Sequence, residues 1–340
     1  MGLKLSILDQ TVIGKHETAS AAFRHTLELA QRAEQLGYYR FWVSEHHDTL
    51  EVAGSSPEVL IAHLLAKTEH IRIGSGGVML QHYSPYKVAE NFNVLSALAP
   101  GRVDLGIGRA PGGLPRSTRA LQQSKPGEAP RTLAEKLTEL QQHLAGSLPE
   151  EHPLHGVRAT PLTEAPAPLY LLGASSSSAG LAAELGIPYV FAQFINGDEE
   201  AADQALGTYR DQFRQTAEGL PAPQAILAVS VIVAETDEAA RALAADVKSV
   251  KIHLESGRTI TVKTLEHAEE FGRQTEEKFT IEVKEARIVH GSKATVRAKL
   301  IGLAESYGLE ELIVTAPVPR FEDRLRVFEL LQEAFAEQTV

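Results

Sequence analysis

Apolar segments with the length of β-strands alternate along the chain with stretches in which apolar residues recur at helical spacing. The strand candidates are Leu3–Leu8, Tyr39–Ser44, Ile71–Met79, Arg102–Ile107, Leu169–Gly173, Tyr189–Gln193, Ile226–Ala234 and Leu312–Thr315. The helical patterns cover 19–36, 57–69, 85–98, 132–144, 177–185, 199–217, 236–252, 292–306 and 321–336. Repeated βα units build parallel sheets, and eight of them close into a ring. The pattern therefore predicts an α/β protein with a (β/α)8 TIM barrel, and an open doubly wound sheet is the alternative.

One local phrase recurs, a helix that ends at a glycine just before the next strand. It reads AEQLGYYRFWV, AAELGIPYVFA and AESYGLEELIV. Glycine adopts at low cost the left-handed conformation that ends many helices, so the phrase indicates one αβ unit repeated along the chain.

Two intervals between strands are longer than a βα unit needs, which predicts insertions at about 111–167 and 253–290, after the fourth and seventh strands. The first is rich in Pro, Gly and Ser, which favours a mobile loop around its helix. The second contains the polar, helix-like run LEHAEEFGRQTEEKF, and we expect it to cover the barrel mouth as a lid. No flexible linker divides the chain, so residues 1–340 are predicted to form one domain.

Composition excludes several classes of function. The 340 residues carry a net charge of −11 and show no basic stripe, which argues against a nucleic-acid partner. The absence of cysteine excludes disulfides, thiolate nucleophiles and thiolate metal sites. The start, MGLKLSILDQ, leads directly into a strand and has no apolar segment of signal-peptide or membrane-span length. We therefore expect a cytoplasmic protein with no membrane partner.

Glycines and one arginine mark the ends of two neighbouring strand candidates. The third strand, in IRIGSGGVMLQHY, carries Gly76 and Gly77, and the fourth, in GRVDLGIGRAPGG, is followed at once by Arg109. Bare backbone there offers a floor for a flat ligand, and a guanidinium is suited to gripping phosphate. The alternatives are a bulge or close-packing point at the glycines and a surface arginine paired with an acid. A dinucleotide fingerprint fits poorly, because the third glycine comes late and Pro111 interrupts the helix.

Four serines follow the fifth strand, in LYLLGASSSSAGLAAELG, at the start of a helix. Unpaired N–H groups at a helix start, with serine hydroxyls beside them, form a site for an anion. The other interpretation is a plain serine N-cap. The nucleophile elbow of serine hydrolases does not fit this segment.

A pair of histidines follows the second strand, in YYRFWVSEHHDTLEVAG. In extended backbone His46 and His47 point to opposite faces, so one of them can look into the barrel mouth. Imidazole titrates near neutral pH, which favours a general acid or base, and the alternative is a hydrogen-bonded structural histidine. Adjacent histidines on one strand make a poor metal pair, so no metal site is predicted.

Taken together, LSILDQ, FWVSEHHD, IRIGSGGVMLQHYSPYKVAEN, GRVDLGIGRAPGG, LGASSSSAGLAAELGIPYVFA and IVHGSKATVRAKL…EELIVT resemble the bacterial-luciferase-like flavin monooxygenases, in their single-chain branch. The likeness spans nearly the whole chain. It implies a barrel that binds FMN at its mouth, with the phosphate held by Arg109, Ser175, Ser176 and Ser178. Gly76–Gly77 matches the place of the family's non-proline cis peptide beneath the flavin, and His46 matches its active-site histidine.

The resemblance also implies a reaction. FMN reduced by a separate NAD(P)H:flavin reductase would react with O2 and oxygenate a small organic substrate, and the family commonly pairs as homodimers. Gly108 stands where luciferase subunits carry a reactive cysteine, so light emission is not expected. The alternatives are a deazaflavin-dependent dehydrogenase on the same barrel and a non-catalytic flavin-binding protein.

Overall fold

A closed ring of eight parallel strands forms the centre of the computed structural model, which describes residues 2–122, 131–213, 222–262 and 264–336. The ring runs β1-β2-β3-β4-β5-β6-β7-β12 and closes from β12 back to β1. The predicted TIM barrel is confirmed, and each of the eight strand candidates forms one ring strand. Their bounds are β1 Lys4–Asp9, β2 Arg40–Val43, β3 Arg72–Val78, β4 Val103–Gly108, β5 Leu169–Gly173, β6 Tyr189–Ala192, β7 Ala225–Val233 and β12 Glu311–Thr315.

The helices surround this ring and mostly keep their predicted bounds. They are α1 Ala19–Leu36, α2 Pro57–Leu65, α3 Pro85–Leu98, α4 Pro115–Leu121, α5 Leu133–Ala145, α6 Ser176–Leu185, α7 Glu199–Gln212, α8 Asp237–Ala244, α9 Leu265–Gln274, α10 Lys293–Ser306 and α11 Phe321–Ala336. Gly37 and Gly186, the glycines of the recurring phrase, end α1 and α6 in the left-handed conformation. The predicted end of the 199–217 helix lies outside the described residues.

The inside of the ring is filled in layers. At the amino-terminal end, the buried Arg40 guanidinium lies 2.9 Å from Asp104 Oδ2 and 2.9 Å from Glu311 Oε2. Above this charged floor lies an apolar layer that includes Trp42, Leu8, Leu172 and Ile313. The barrel is therefore a packed core, and a ligand must bind at the carboxyl ends of the strands.

The second insertion is a small body built on its own sheet. Strands β8 Lys248–Leu254, β9 Thr259–Val262 and β10 Phe279–Glu285 form an antiparallel sheet in the order β10-β8-β9, and α9 packs on it. A short strand, β11 Val289–Gly291, then pairs with β7. The predicted helix over 236–252 is wrong in its second half, because Val250, Ile252 and Leu254 alternate onto one buried strand face. The helix-like run around 265–279 likewise ends at Gln274, and its last residue begins β10.

The first insertion contains two helices, α4 and α5. The sequence predicted α5 but treated the segment that forms α4 as loop; residues 123–130 lie outside the described residues. Leu114, just before α4, packs in the same apolar cluster as Ile252 and Phe271 of the second insertion. The two insertions therefore share a core. In the described part of the chain, no helix is both long and apolar enough to cross a membrane.

Candidate active site

The predicted anion site is assembled where β4 and β5 end. Arg109 directly follows β4, and its Nη1 donates to Ser175 Oγ at 3.2 Å across 66 residues of sequence. Ser175 is the N-cap of α6, whose first N–H groups have no partner within the helix by geometry. Arg109 is exposed and Ser176 is half-buried at the first helical position. A guanidinium, a hydroxyl and a helix start thus converge at one corner of the mouth.

Ser178 has a different place from Ser175. It is buried, its hydroxyl donates to the Ser175 carbonyl at 2.7 Å, and it lies 3.0 Å from Tyr189 Oη. A Cβ on Gly173 would come within 2.1 Å of Ser178 Oγ, so the glycine leaves the room that this hydroxyl occupies. Burial raises the pKa of Tyr189 to about 12, against its contact with the Ser178 hydroxyl, which lowers it. Ser178 therefore supports the turn that presents Ser175 and Ser176.

The glycines of β3 and β4 form a thin wall beside this corner. A Cβ on Gly77 would lie 2.5 Å from the backbone nitrogen of Gly108, and a Cβ on Gly76 would lie 2.7 Å from Leu8 Cδ1. The alternative interpretation, that these glycines allow close packing of neighbouring strands, is thus correct. The Gly76–Gly77 peptide bond is cis, as the family resemblance implies.

His46 stands on the inner side of the loop after β2. Trp42 lies in the interior apolar cluster, and Ser44, two residues on, contacts His46 Nδ1 at 3.1 Å. Alternation along extended backbone puts these three side chains on one side. The loop is tied down by the His46 N–H, which donates to the Gly54 carbonyl at 2.8 Å. The contact with Ser44 makes His46, rather than His47, the better candidate for the predicted mouth-facing histidine.

Two residues with positive φ flank this region. Thr11, after β1, has φ 52° and Asp48, after β2, has φ 52°. A β-branched residue adopts this conformation only where its surroundings hold it there, and such residues cluster at functional sites. The Ala53 N–H donates to the Thr11 carbonyl at 3.0 Å, so the two loops brace each other.

Glu45 and His47 point to the other side of the same loop. Glu45 Oε1 accepts from His47 Nε2 at 2.7 Å and from the Tyr83 hydroxyl at 2.7 Å. Its Oε2 accepts from the Met79 N–H at 3.0 Å, and the carboxylate is fully buried. Sequence reasoning left Glu45 and Tyr83 without a role. Alternation indicates only that Glu45 leaves the side of Ser44 and His46. Its partners Tyr83 and Met79 are distant in the sequence, so no local signal identifies them.

The surroundings of this carboxylate shift the titration of its neighbours. Burial, and then the hydrogen bond and charge of Glu45, raise the pKa of Tyr83. Burial raises the pKa of Glu58, and the charge of Glu45 adds to that shift. Burial also lowers the pKa of His82, against the hydrogen bond to the Pro111 carbonyl, which raises it. His82 Nε2 is 2.7 Å from that carbonyl, so it carries a proton.

A cavity of about 430 Å³ lies between the two insertions beside this loop. Its lining includes the apolar side chains of Leu254, Ile260 and Phe271 and charged groups of both signs, Arg119, Arg258, Glu276 and Glu277. Gly113, also in the lining, is so close to the loop that its Cβ would lie 2.8 Å from the His47 carbonyl oxygen. No group of three or more His, Asp or Glu suited to a metal ion occurs among the described residues.

Comparison with known proteins gives this site its context. The sequence profile described as "Luciferase-like monooxygenase" matches residues 3–310. The chain belongs to the luciferase-like monooxygenase family. This luciferase-like monooxygenase is 42% identical over 332 residues to the N-acetyl-S-alkylcysteine monooxygenase of Bacillus subtilis (strain 168), with 98% of each chain covered. It is 34% identical to a luciferase-like monooxygenase of Escherichia coli (strain K12), again with 98% of each chain covered. The chain is therefore an enzyme, a flavin-dependent oxidoreductase.

Solved structures show the same fold. Apo-MsnO8 superposes with a TM-score of 0.78 at 37% identity, with 98% of each chain covered. The oxygenating constituent of a 3,6-diketocamphane monooxygenase of Pseudomonas putida, in complex with FMN, gives 0.71 at 18% identity, with 100% and 99% covered. An F420-dependent secondary alcohol dehydrogenase gives 0.63 at 15% identity, with 98% and 99% covered. The last two likenesses concern the fold of this luciferase-like monooxygenase and leave its cofactor open.

The structure brings the predicted site residues of this luciferase-like monooxygenase to one end of the barrel. Arg109, Ser175 and Ser176 meet at one corner, Gly76 and Gly77 form the adjacent strand end, and His46 stands on the neighbouring loop. Their roles toward a cofactor stay predictions.

Proposed function

We propose that the enzyme is an FMN-dependent monooxygenase that takes up reduced FMN from a separate reductase. The observation that supports FMN most directly is the contact between Arg109 and Ser175 at the start of α6, which matches the charge and the donor requirements of a phosphate monoester. In this proposal Gly76 and Gly77, which carry no side chain, provide the backbone on which a ring system lies. The residues present therefore fit this cofactor.

In the proposal each residue has a distinct task. Arg109 binds the phosphate with Ser175, Ser176 and the N–H groups of α6, while Ser178 supports the turn from below. Gly76 and Gly77 form the floor under the ring. His46 holds or moves a proton at its imidazole beside the reacting atoms, since imidazole titrates near neutral pH. The insertions exclude water from the mouth.

Reduced FMN supplies two electrons when bound, one atom of O2 enters the substrate and the other leaves as water. The name of the Bacillus subtilis relative suggests the first substrates to test, which are N-acetyl-S-alkylcysteines. The cavity between the insertions offers apolar contact for an alkyl group, and its charged lining is balanced, with Arg119 and Arg258 beside Glu276 and Glu277. Association as a homodimer remains part of the proposal.

The test compares Arg109→Ala with His46→Ala in the full-length protein. We expect R109A to raise the Kd for FMN by roughly tenfold or more, because a charged hydrogen bond contributes about 1.5–3 kcal/mol. H46A should keep the Kd and lose turnover. Fluorescence titration gives the Kd, and product formed under 18O2 with reduced FMN gives the oxygen transfer.

Deazaflavin F420 is the comparison cofactor in the same assay. Product that contains one 18O atom supports a monooxygenase. Turnover with F420 and without O2 would instead make the enzyme a dehydrogenase, and an unchanged Kd in R109A would remove Arg109 from the phosphate site.

A further inference from the structure

The loop that carries His46 is anchored from behind by one buried carboxylate. Glu45 is fully buried and accepts hydrogen bonds from His47, from Tyr83 and from the Met79 backbone. An ionised carboxylate can accept several donors at once, and three of them satisfy most of its capacity. Glu45 is therefore engaged in full on the side of the loop that does not face the mouth.

The charge of this carboxylate has a single basic partner in the described part of the chain. The ion pair that Glu45 forms there is with His47, and no lysine or arginine of those residues pairs with it. A buried charge is costly unless it is paired and hydrogen-bonded. The contact with His47 therefore offsets part of the cost of burying the Glu45 carboxylate. The contact also fixes the imidazole, because Nε2 must carry the proton that it donates.

The contacts around Glu45 also extend to the segments that follow β3 and β4. The His47 N–H donates to the Gly112 carbonyl at 2.7 Å, and the Met79 side chain is so close to Gly108 that a Cβ there would lie 2.9 Å from its sulfur. Glu45 thus connects the loop after β2 with the ends of β3 and β4, immediately beside Gly76–Gly77 and Arg109.

We infer that Glu45 is a positioning residue for the reaction: through His47 and the Met79 N–H it fixes the loop that carries His46 relative to the end of β3. The inference rests on the proposed function only for the role of His46. Glu45 itself does not touch the substrate or the cofactor. The competing interpretation is a purely structural carboxylate, which would affect stability alone.

Glu45→Gln tests the inference, because glutamine keeps the shape and removes the charge. One of the three donors then loses its acceptor, and the imidazole of His47 is no longer held by a charged partner. We expect kcat to fall roughly tenfold to hundredfold, as for other groups that orient a functional side chain, while the Kd for FMN changes less than threefold. Glu139→Gln is the matched control, since Glu139 is a buried carboxylate beside His143 on α5, away from the mouth.

The pH–rate profile separates positioning from stability. The groups that face His47 are Glu45 on its own loop, Glu58 on α2, and His82 and Tyr83 after β3, with Lys136 of α5 next to His82. A neutral amide at 45 leaves His47 without its charged partner, so kcat of E45Q should lie below the wild-type value across the whole profile. E139Q should lose stability and keep the wild-type profile.

Two further measurements keep the inference falsifiable if E45Q fails to fold. His47→Asn should reproduce the loss of kcat, and the double variant should be no slower than the slower single variant, because both changes break one connection. In histidine-labelled protein, long-range 15N NMR should show a proton on Nε2 of His47, assigned by its absence in H47N. This readout is independent of any activity. An E45Q enzyme that matches E139Q in kcat and pH profile, an H47N enzyme with wild-type kinetics, or a His47 protonated only at Nδ1 would overturn the inference.

Discussion

At the scale of single residues, the site separates side chains that face a ligand from side chains that hold them. His46 and Ser44 lie on the mouth side of one loop and Glu45 and His47 on its other side, because the backbone alternates. The serines after β5 divide in the same way, since Ser175 contacts Arg109 and Ser178 is buried. Replacing one of two neighbouring residues of the same type should therefore affect ligand binding, and replacing the other should affect stability.

Ser175→Ala and Ser178→Ala should show this division directly. S178A removes a buried hydroxyl that donates to the Ser175 carbonyl, so we expect it to lower the free energy of unfolding by about 1–2 kcal/mol. S175A removes the N-cap hydroxyl of α6 and should lower stability by a similar amount, about 1 kcal/mol. It should also weaken FMN binding by roughly fivefold, which S178A should not, because it removes the hydroxyl beside Arg109. Urea unfolding and FMN titration measure the two effects. Equal losses in both assays for both variants would show that the serines act as one group.

The residue types at the site were readable from the sequence, but their division was not. Arg109, His46 and the serines stand directly after strands, which predicts a common end of the barrel. Which serine is buried depends on Gly173 and Tyr189, which come together only in the folded chain. The Glu45 network depends on Tyr83 and Met79, 38 and 34 residues away, so no local pattern announces it.

At the scale of secondary-structure elements, the ring was predictable because the apolar pattern of each strand and helix matches the face that the fold buries. The second insertion was harder, because β8 to β10 are half-exposed and carry polar residues between their apolar ones. Connections between elements also depend on single side chains. Glu34 in the last turn of α1 accepts from the N–H groups of Glu69, His70 and Ile71 with one oxygen, and so holds the start of β3.

Glu34→Gln should therefore destabilise the fold in a pH-dependent way. Burial raises the pKa of Glu34, but the three N–H groups and Arg102 outweigh it, so the folded pKa lies below its ordinary value of 4.5. A lowered carboxyl pKa stabilises the fold above 4.5, and this stabilisation is lost as the pH falls through the folded pKa. We expect E34Q to cost about 1 kcal/mol at pH 7 and less at pH 3. Glu28→Gln, exposed on the same helix, is the control, and urea midpoints at the two pH values give the comparison.

At the scale of the whole molecule, the two ends of the barrel have different tasks. The amino-terminal end is closed by Arg40 with Asp104 and Glu311, all almost fully buried, and Arg72 also pairs with Asp104. Burial lowers the pKa of Arg40, but Asp104 and Glu311 outweigh it and the pKa rises, so this guanidinium stays charged at every accessible pH. The mouth carries the exposed charge of Arg109. The charged group that stabilises the fold and the charged group proposed to bind a ligand thus lie at opposite ends of the strands.

Arg40→Met should test the stabilising role of the floor. It leaves two buried carboxylates with too little positive charge, which costs about 3–5 kcal/mol when a buried pair is broken. Arg32→Met removes a half-buried arginine at the surface, bound to Glu329 at 2.8 Å, and should cost less than about 1 kcal/mol. Urea unfolding at neutral pH measures both. Similar midpoints for the two variants would mean that the floor contributes no more than a surface pair.

The filled interior has a kinetic consequence. Charged side chains close one end of the ring and Trp42, Leu8 and Leu172 fill its middle, so the described residues leave no passage along the axis. Under the proposed function, reduced FMN, substrate and product would therefore share the open carboxyl end of the ring. Oxidised FMN and product would have to leave before the next reduced FMN binds, and the one released last would inhibit competitively against it.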